Sequence, residues 1–156
     1  MVGIVAVIPA RGGSKGIPNK NVHVLAGKPL LAYTLEATIE ARVADAILVS
    51  TDSELVADVA RMYPVELVWR PGELATDESP TEGALLHAVG QYSGPTPAGV
   101  LTLPPTSPLR SAGTIRAFVA AFENLGEDVD AILSVTEDRG DFWLYEEGSR
   151  WRRMCP

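Results

Sequence analysis

The apolar positions of this 156-residue chain fall into short blocks whose period switches repeatedly between that of a strand and that of a helix. Val2 to Ile8 (VGIVAVI) is β-branched and apolar at successive positions, the signature of a strand buried on both faces in a parallel sheet. Pro29 to Arg42 (PLLAYTLEATIEAR) carries apolar residues at helical spacing, with Pro29 suited to the first turn. Ala46 to Asp52 (AILVSTD) repeats the buried-strand pattern, Ser53 to Tyr63 (SELVADVARMY) predicts a second helix, and Val65 to Trp69 (VELVW) a third strand. In SPTEGALLHAVGQY, Ser79 is placed to cap, Pro80 to fill the first helical position and Glu82 to complete a capping box, so a helix is expected there. Ala98 to Leu103 (AGVLTL) predicts the next strand, Ser111 to Leu125 the next helix, and Asp130 to Thr136 (DAILSVT) a further strand. The tail from Glu137 to Pro156 is polar with aromatic residues and suggests a hairpin around EEGS. Strands separated by helices imply crossover connections, hence an α/β fold of three layers around a mostly parallel sheet.

The chain fits a single domain over residues 1–156, and a domain of this size buries about two-thirds of the surface its unfolded form exposes. No apolar run approaches the roughly 20 residues of a membrane span, so no membrane partner is expected. The opening MVGIVAVIPARGG places its arginine after the apolar run, the reverse of a secretory signal. A cytoplasmic location is the expectation, and the single cysteine, Cys155, agrees with a reducing compartment. The net charge of −7 argues against nucleic acid as a partner, because such binders display broad basic surfaces. Its distribution is uneven. Residues 1–35 hold Arg11, Lys15, Lys20 and Lys28 with no Asp or Glu, a balance of +4, leaving nine cations against 20 acids in the remainder.

That positive charge surrounds the stretch IPARGGSKGIPNKN, Ile8 to Asn21, which leaves the first expected strand. In an open α/β sheet ligands bind beyond the carboxyl ends of the strands. Glycines let backbone N–H groups approach an anion, and Lys and Arg supply charge at neutral pH. The guest these residue types suit is a polyphosphate. RGGSKG has neither the spacing of a P-loop nor the G-x-G-x-x-G of a dinucleotide fingerprint, which disfavours simple P-loop hydrolysis. A solvated turn is the bland alternative, but cations packed around a tight loop repel one another unless an anion joins them.

Several spaced motifs resemble those of the cytidylyltransferases that activate acidic sugars, the N-acylneuraminate cytidylyltransferase family. IPARGGSKGIPNKN resembles its nucleotide-binding signature, VSTD (Val49 to Asp52) its next strand end, RPGELATDESPT (Arg70 to Thr81) its middle loop, and PTSPLR (Pro105 to Arg110) its second signature. The resemblance implies a Rossmann-like nucleotidyltransferase fold, Mg²⁺ as cofactor, CTP and an acidic sugar as substrates, and a homodimer. It implies catalytic roles for Arg11, Lys15 and Lys20 at the triphosphate. Ala10, Gly12, Gly13, Ser14, Asn21, Arg70, Ser79 and Thr81 would bind the nucleotide, Arg70 and Thr81 against the cytidine. Thr106, Ser107 and Arg110 would meet the sugar or its carboxylate.

Two departures bear on these implications. Pro104 stands where the family usually has a glutamine on the sugar side, and proline offers no side-chain hydrogen bond there. Members also commonly continue well past this length, and the chain is expected to lack the usual C-terminal portion with its dimerisation segment and late acidic metal-binding motif. The metal ligands are therefore unassigned. WLY (143–145) and RWRR (150–153) are candidate dimer contacts. The acceptor stays open between a nine-carbon sugar such as N-acetylneuraminic acid, an eight-carbon acidic sugar and another small acid, and a non-catalytic nucleotide-binding relative is the reading of a different class. Asp52 reads equally as an N-cap of the following helix or as a site residue, and Asp77 has the same two readings. His23 and His87 read as structural, and no His/Cys/Asp cluster has metal-site spacing.

Overall fold

The computed structural model describes residues 3–13, 16–126 and 129–135 together with the strands at 143–145 and 151–153. The chain divides into two compact units, Met1–Gly126 and Glu127–Pro156.

In the first unit the central strand is β1 (Ile4–Pro9), five of whose six residues are buried. A 3-10 turn at Lys20–Val22 leads to the short pair β2 (Val24–Leu25) and β3 (Lys28–Pro29), antiparallel around Ala26 and Gly27, both at positive φ. Then follow α1 (Leu30–Ala41), β4 (Ala46–Thr51), α2 (Glu54–Ala60), β5 (Glu66–Trp69), a 3-10 turn at Gly72–Leu74, α3 (Thr81–Gln91), β6 (Gly99–Thr102) and α4 (Ala112–Glu123). Each of these strands and helices after β3 falls inside an expected segment. The main sheet runs β5-β4-β1-β6 with every pairing parallel.

Strand alternation divides the core between two layers. Ile4, Ala6 and Ile8 face a cluster with Leu31 and Leu35 of α1, Val56 and Ala60 of α2, and Ile115 and Val119 of α4. Val5 and Val7 point the other way, onto Leu48, Val68 and Ala88 of α3. Both faces of β1 are thus covered, which is why its sequence is apolar throughout rather than alternating.

Helix starts show where local rules yield to context. Ser111 caps α4, its side chain accepting from the Thr114 N–H at 3.1 Å. The capping box at α3 does not form: Pro80 occupies the N-cap with extended backbone, which places Ser79 one residue too early. The Ser79 hydroxyl donates instead to the Glu73 carbonyl at 2.6 Å. Pro29 likewise sits at the N-cap of α1 rather than inside its first turn.

In the second unit the expected strand at Asp130 to Thr136 is not made; residues 130–135 carry no regular structure, and Thr136 lies outside the described residues. An apolar β-branched pattern supplies half of what a strand needs, and the other half, a ladder partner, is not found for these residues. The two strands of the expected tail hairpin do pair, β7 (Trp143–Tyr145) antiparallel with β8 (Trp151–Arg153), and EEGS lies outside the described residues. No helix among the described residues is long and apolar enough to cross a membrane.

Leu35 is fully buried between sheet and helices, whereas Leu86 on α3 is 76% exposed. Urea unfolding should show Leu35→Ala destabilised by about 2–5 kcal/mol and Leu86→Ala within about 0.5 kcal/mol of the native chain.

Candidate active site

The strand order places a ligand cleft. From β1 the chain moves outward through β4 to β5, then returns to the other side of β1 for β6, so the strand order reverses between β1 and β6. A crevice opens at such a switch point, outside the carboxyl ends of the strands. A cavity of about 550 Å³ lies there, within the usual range for a small-molecule site. Its walls come from the glycine loop after β1 (Arg11, Gly16, Ile17, Lys20, Asn21), the segment from Arg70 to Ala84, and Pro104 to Thr106 after β6.

The glycine loop is held to its neighbours bond by bond. The Ala10 N–H donates to the Ser50 carbonyl at 2.9 Å, extending the β1–β4 pairing one residue past the strand. The Gly12 N–H donates to Asp52 Oδ1 at 2.8 Å, and Asn21 Nδ2 donates to the Arg11 carbonyl at 2.8 Å. Asn21 is 5% exposed, and it enters its 3-10 turn through Asn19 in the left-handed region (φ 51°), which asparagine tolerates better than most residues. Arg11 donates through Nη1 to the Ala75 carbonyl at 3.2 Å and through Nη2 to Asp77. One guanidinium thus ties the first loop to the middle one.

Arg70 is 8% exposed. Its Nε donates to Ser50 Oγ at 3.1 Å and its Nη2 to the Ser50 carbonyl at 2.9 Å. Burial pushes its pKa below the ordinary arginine value; Asp52 opposes that shift, and Arg11 adds to it. A guanidinium remains charged under such a shift, so the floor of the cleft carries a fixed cation. With Arg11 and Lys20 that makes three described cations in the lining, against one carboxylate, Asp77.

Of the residues singled out from the sequence, Arg11, Lys20, Asn21, Arg70, Ser79, Thr81 and Thr106 are brought together in this one cleft. Ala10, Gly12 and Gly13 lie in the same loop without lining it, and Ser14 and Lys15 fall outside the described residues. Ser107 and Arg110 also stand outside the lining. The Ser107 carbonyl accepts from the Arg110 N–H, and Arg110 reaches back over a long 3.5 Å contact to the Pro104 carbonyl. Burial lowers the Arg110 pKa, and its Nη1 is enclosed with no partner. Neither His23 nor His87 reaches the cleft.

Asp52 takes neither a cap nor a place in the lining: Ser53 is the N-cap of α2, and the Asp52 carboxylate holds the glycine loop. Sequence reasoning passed over Ser50, the partner of Arg70. The signal was the buried serine and threonine that end an otherwise apolar strand, since a buried hydroxyl needs a partner. Thr76 and Leu74 were also missed as walls, although both lie within the middle loop that had been recognised.

A family model described as Cytidylyltransferase matches residues 5–142. The N-acylneuraminate cytidylyltransferase of Escherichia coli O18:K1:H7 is 40% identical over 133 residues, covering 85% of this chain and 31% of that protein. The CMP-N,N'-diacetyllegionaminic acid synthase of Legionella pneumophila is 40% identical over 136 residues, covering 85% of this chain and 59% of that one. The chain therefore spans about a third to three-fifths of the length of these relatives. Among solved structures, the 4-diphosphocytidyl-2C-methyl-D-erythritol synthase of Anaerococcus prevotii superposes with a TM-score of 0.70 at 18% identity, over 99% of this chain and 65% of that one, a likeness of fold.

Gly12 passes so close to α2 that a Cβ added to it would lie 2.7 Å from the Ser53 Cβ. Gly12→Ala must therefore shift the loop, and urea unfolding should show a loss of about 1–3 kcal/mol. Gly13→Ala, with nothing within 4 Å of an added Cβ, should leave stability nearly unchanged in the same measurement.

Proposed function

Because this chain belongs to the cytidylyltransferase family, we propose that its cleft binds CTP and transfers CMP to the hydroxyl of an acidic sugar such as N-acetylneuraminic acid, releasing pyrophosphate. The observation that carries the reading is the meeting of Arg11, Lys20, Arg70, Thr81 and Thr106 in one cleft at the switch point of the sheet. These residues come from the three loops that the resemblance assigns to triphosphate, cytidine and sugar, and the relatives reported above are named for CMP transfer to acidic sugars.

In this reading the sugar hydroxyl oxygen attacks the α-phosphorus and gives up its proton to solvent, a new P–O bond forms, and the bond to the pyrophosphate breaks in line. Negative charge grows on the leaving pyrophosphate. Arg11 and Lys20, with Lys15 by the resemblance, face that charge from the glycine loop, and cations fixed in advance stabilise it without reorganising. Arg70, immobilised by both oxygens of Ser50, and Thr81 would meet the cytidine by the resemblance. Pro104, exposed, and Pro105, buried, line the acceptor side of the cleft.

Mg²⁺ is the cofactor this reading carries, and the donor set decides how it would be held. No cluster of three or more acidic, His or Cys side chains able to hold a metal exists among the described residues, and Asp77 is the carboxylate in the lining. A lining carboxylate suits an ion that keeps one or two carboxylates and takes its remaining ligands from substrate phosphates. When bound, Mg²⁺ supplies neutralisation of the departing pyrophosphate; Asp77 is the residue here able to meet it.

The acceptor has a second reading, favoured by Pro104. It lines the cleft where the family usually presents a glutamine side chain, so an acidic sugar other than N-acetylneuraminic acid, including an eight-carbon one, fits equally on the acceptor side. Homodimerisation, resting on the family resemblance, and a cytoplasmic location, resting on the order of the opening residues and the single cysteine, complete the proposal.

Calorimetric titration of the chain with CTP, ATP, GTP and UTP in Mg²⁺ tests the nucleotide, and pyrophosphate release over a panel of acidic sugars tests the acceptor. CTP should bind in preference to the other three. Arg11→Ala and Lys20→Ala should each weaken CTP binding by about tenfold or more, the value of a lost charge-assisted bond, with the fold retained by circular dichroism. Unchanged CTP affinity in both variants would reject the site; CTP binding without turnover on any acceptor would leave a nucleotide-binding relative in place of an enzyme.

A further inference from the structure

Arg11 and Gly12 share one peptide unit, and both of its polar atoms are taken by side chains from other parts of the chain. Its carbonyl accepts from Asn21 and its N–H donates to Asp52, each at 2.8 Å. The two holders approach from separate elements: Asn21 from the buried turn at the end of the glycine loop, Asp52 from the residue directly after β4. A peptide plane gripped at both ends cannot swing about the bonds flanking it without breaking one of the two hydrogen bonds. Nor can it slide toward α2, where Ser53 already stands against Gly12.

The orientation of that plane sets the direction in which the Arg11 side chain departs, and Arg11 is the residue that joins the two loops across the cleft. Asp52 is well placed for this duty because its carboxylate already accepts from the Gly12 N–H at 2.8 Å. It does not line the cavity, and the N-cap of the next helix belongs to Ser53. It also stands near enough to the buried Arg70 to oppose the loss of its charge, so one carboxylate faces two elements of the same site.

We propose that Asp52 is a positioning residue: with Asn21 it clamps the Arg11–Gly12 peptide and so aims Arg11 into the cleft, without touching the nucleotide. This rests on the reading that the cleft takes a nucleoside triphosphate. It also gives Asn21, which lines the cleft, a second task there, since its amide nitrogen donates to the loop.

The test combines amide hydrogen exchange at Gly12, followed by nuclear magnetic resonance, with CTP titration of the full chain carrying Asp52→Ala, Asp52→Asn or Asp52→Ser. In Asp52→Ala, exchange at Gly12 should accelerate and CTP binding weaken, each by about tenfold, while amides within β1 and β4 exchange as in the native chain. Asp52→Asn, whose Oδ1 still accepts, should recover most of both effects. Asp52→Ser, too short to reach the Gly12 N–H, should behave as Asp52→Ala and stands in for it should the alanine variant not fold. Native exchange at Gly12 in Asp52→Ala, or faster exchange with native CTP affinity, overturns the positioning role. Failure of Asp52→Asn to restore binding overturns it as well, by making charge rather than the hydrogen bond the cause. A native chain that binds no nucleoside triphosphate rejects the functional reading and this inference together, whereas native affinity in Asp52→Ala rejects this inference alone.

Discussion

The parallel pairing of β1 with β4 on one side and β6 on the other is the constraint from which the rest of the molecule follows. A strand placed centrally and covered by helices on both faces must be apolar at every position, and Ile4 to Ile8 meets that demand with five consecutive buried side chains. Parallel pairing also brings the carboxyl ends of all the main strands to one side of the sheet. The polar loops therefore collect where the strand order reverses, and a single cleft results.

Loops that converge in this way bring their backbone N–H and carbonyl groups with them, and those groups need partners once they are shielded from water. The last residues of β4 and the one after it supply most of them. Ser50 gives its carbonyl to both Ala10 and Arg70 and its hydroxyl to Arg70; Thr51 accepts from the Arg70 N–H; Asp52 accepts from Gly12. Three consecutive side chains or carbonyls thus bind the glycine loop and the start of the middle loop to the same strand end. The Arg11 guanidinium, donating to Ala75 and Asp77, closes the ring on the far side. Two of the cleft's cations, Arg11 and Arg70, are held in place by these bonds.

Much of this was legible from residue order. The main strands and helices of the first unit follow from the alternation of apolar periods, because burial on two faces and burial on one stripe leave different patterns. The glycine loop was visible from its composition and from the acid-free first 35 residues. Other features misled for physical reasons. Ser79 and Glu82 satisfy the spacing of a capping box, but Pro80 takes the N-cap and the hydroxyl turns to Glu73 instead. The segment 130–135 has the composition of a strand but pairs with no strand among the described residues.

What the sequence determined by itself is therefore the local content: which segments bury a face, which loop concentrates positive charge, and which residue types are available to an anionic ligand. These are properties of neighbours along the chain, governed by periodicity, propensity and charge. Only the tertiary structure decided which side chains meet. Gly12 and Asp52 are 40 residues apart, Arg11 and Asp77 are 66 apart, and Ser50 finds Arg70 across 20. No local rule relates such positions, because their contact is set by strand order and register, and those are chosen by the packing of the whole sheet. The same reason explains why Asp52, read from the sequence as a helix cap or a site residue, holds a peptide of the loop instead.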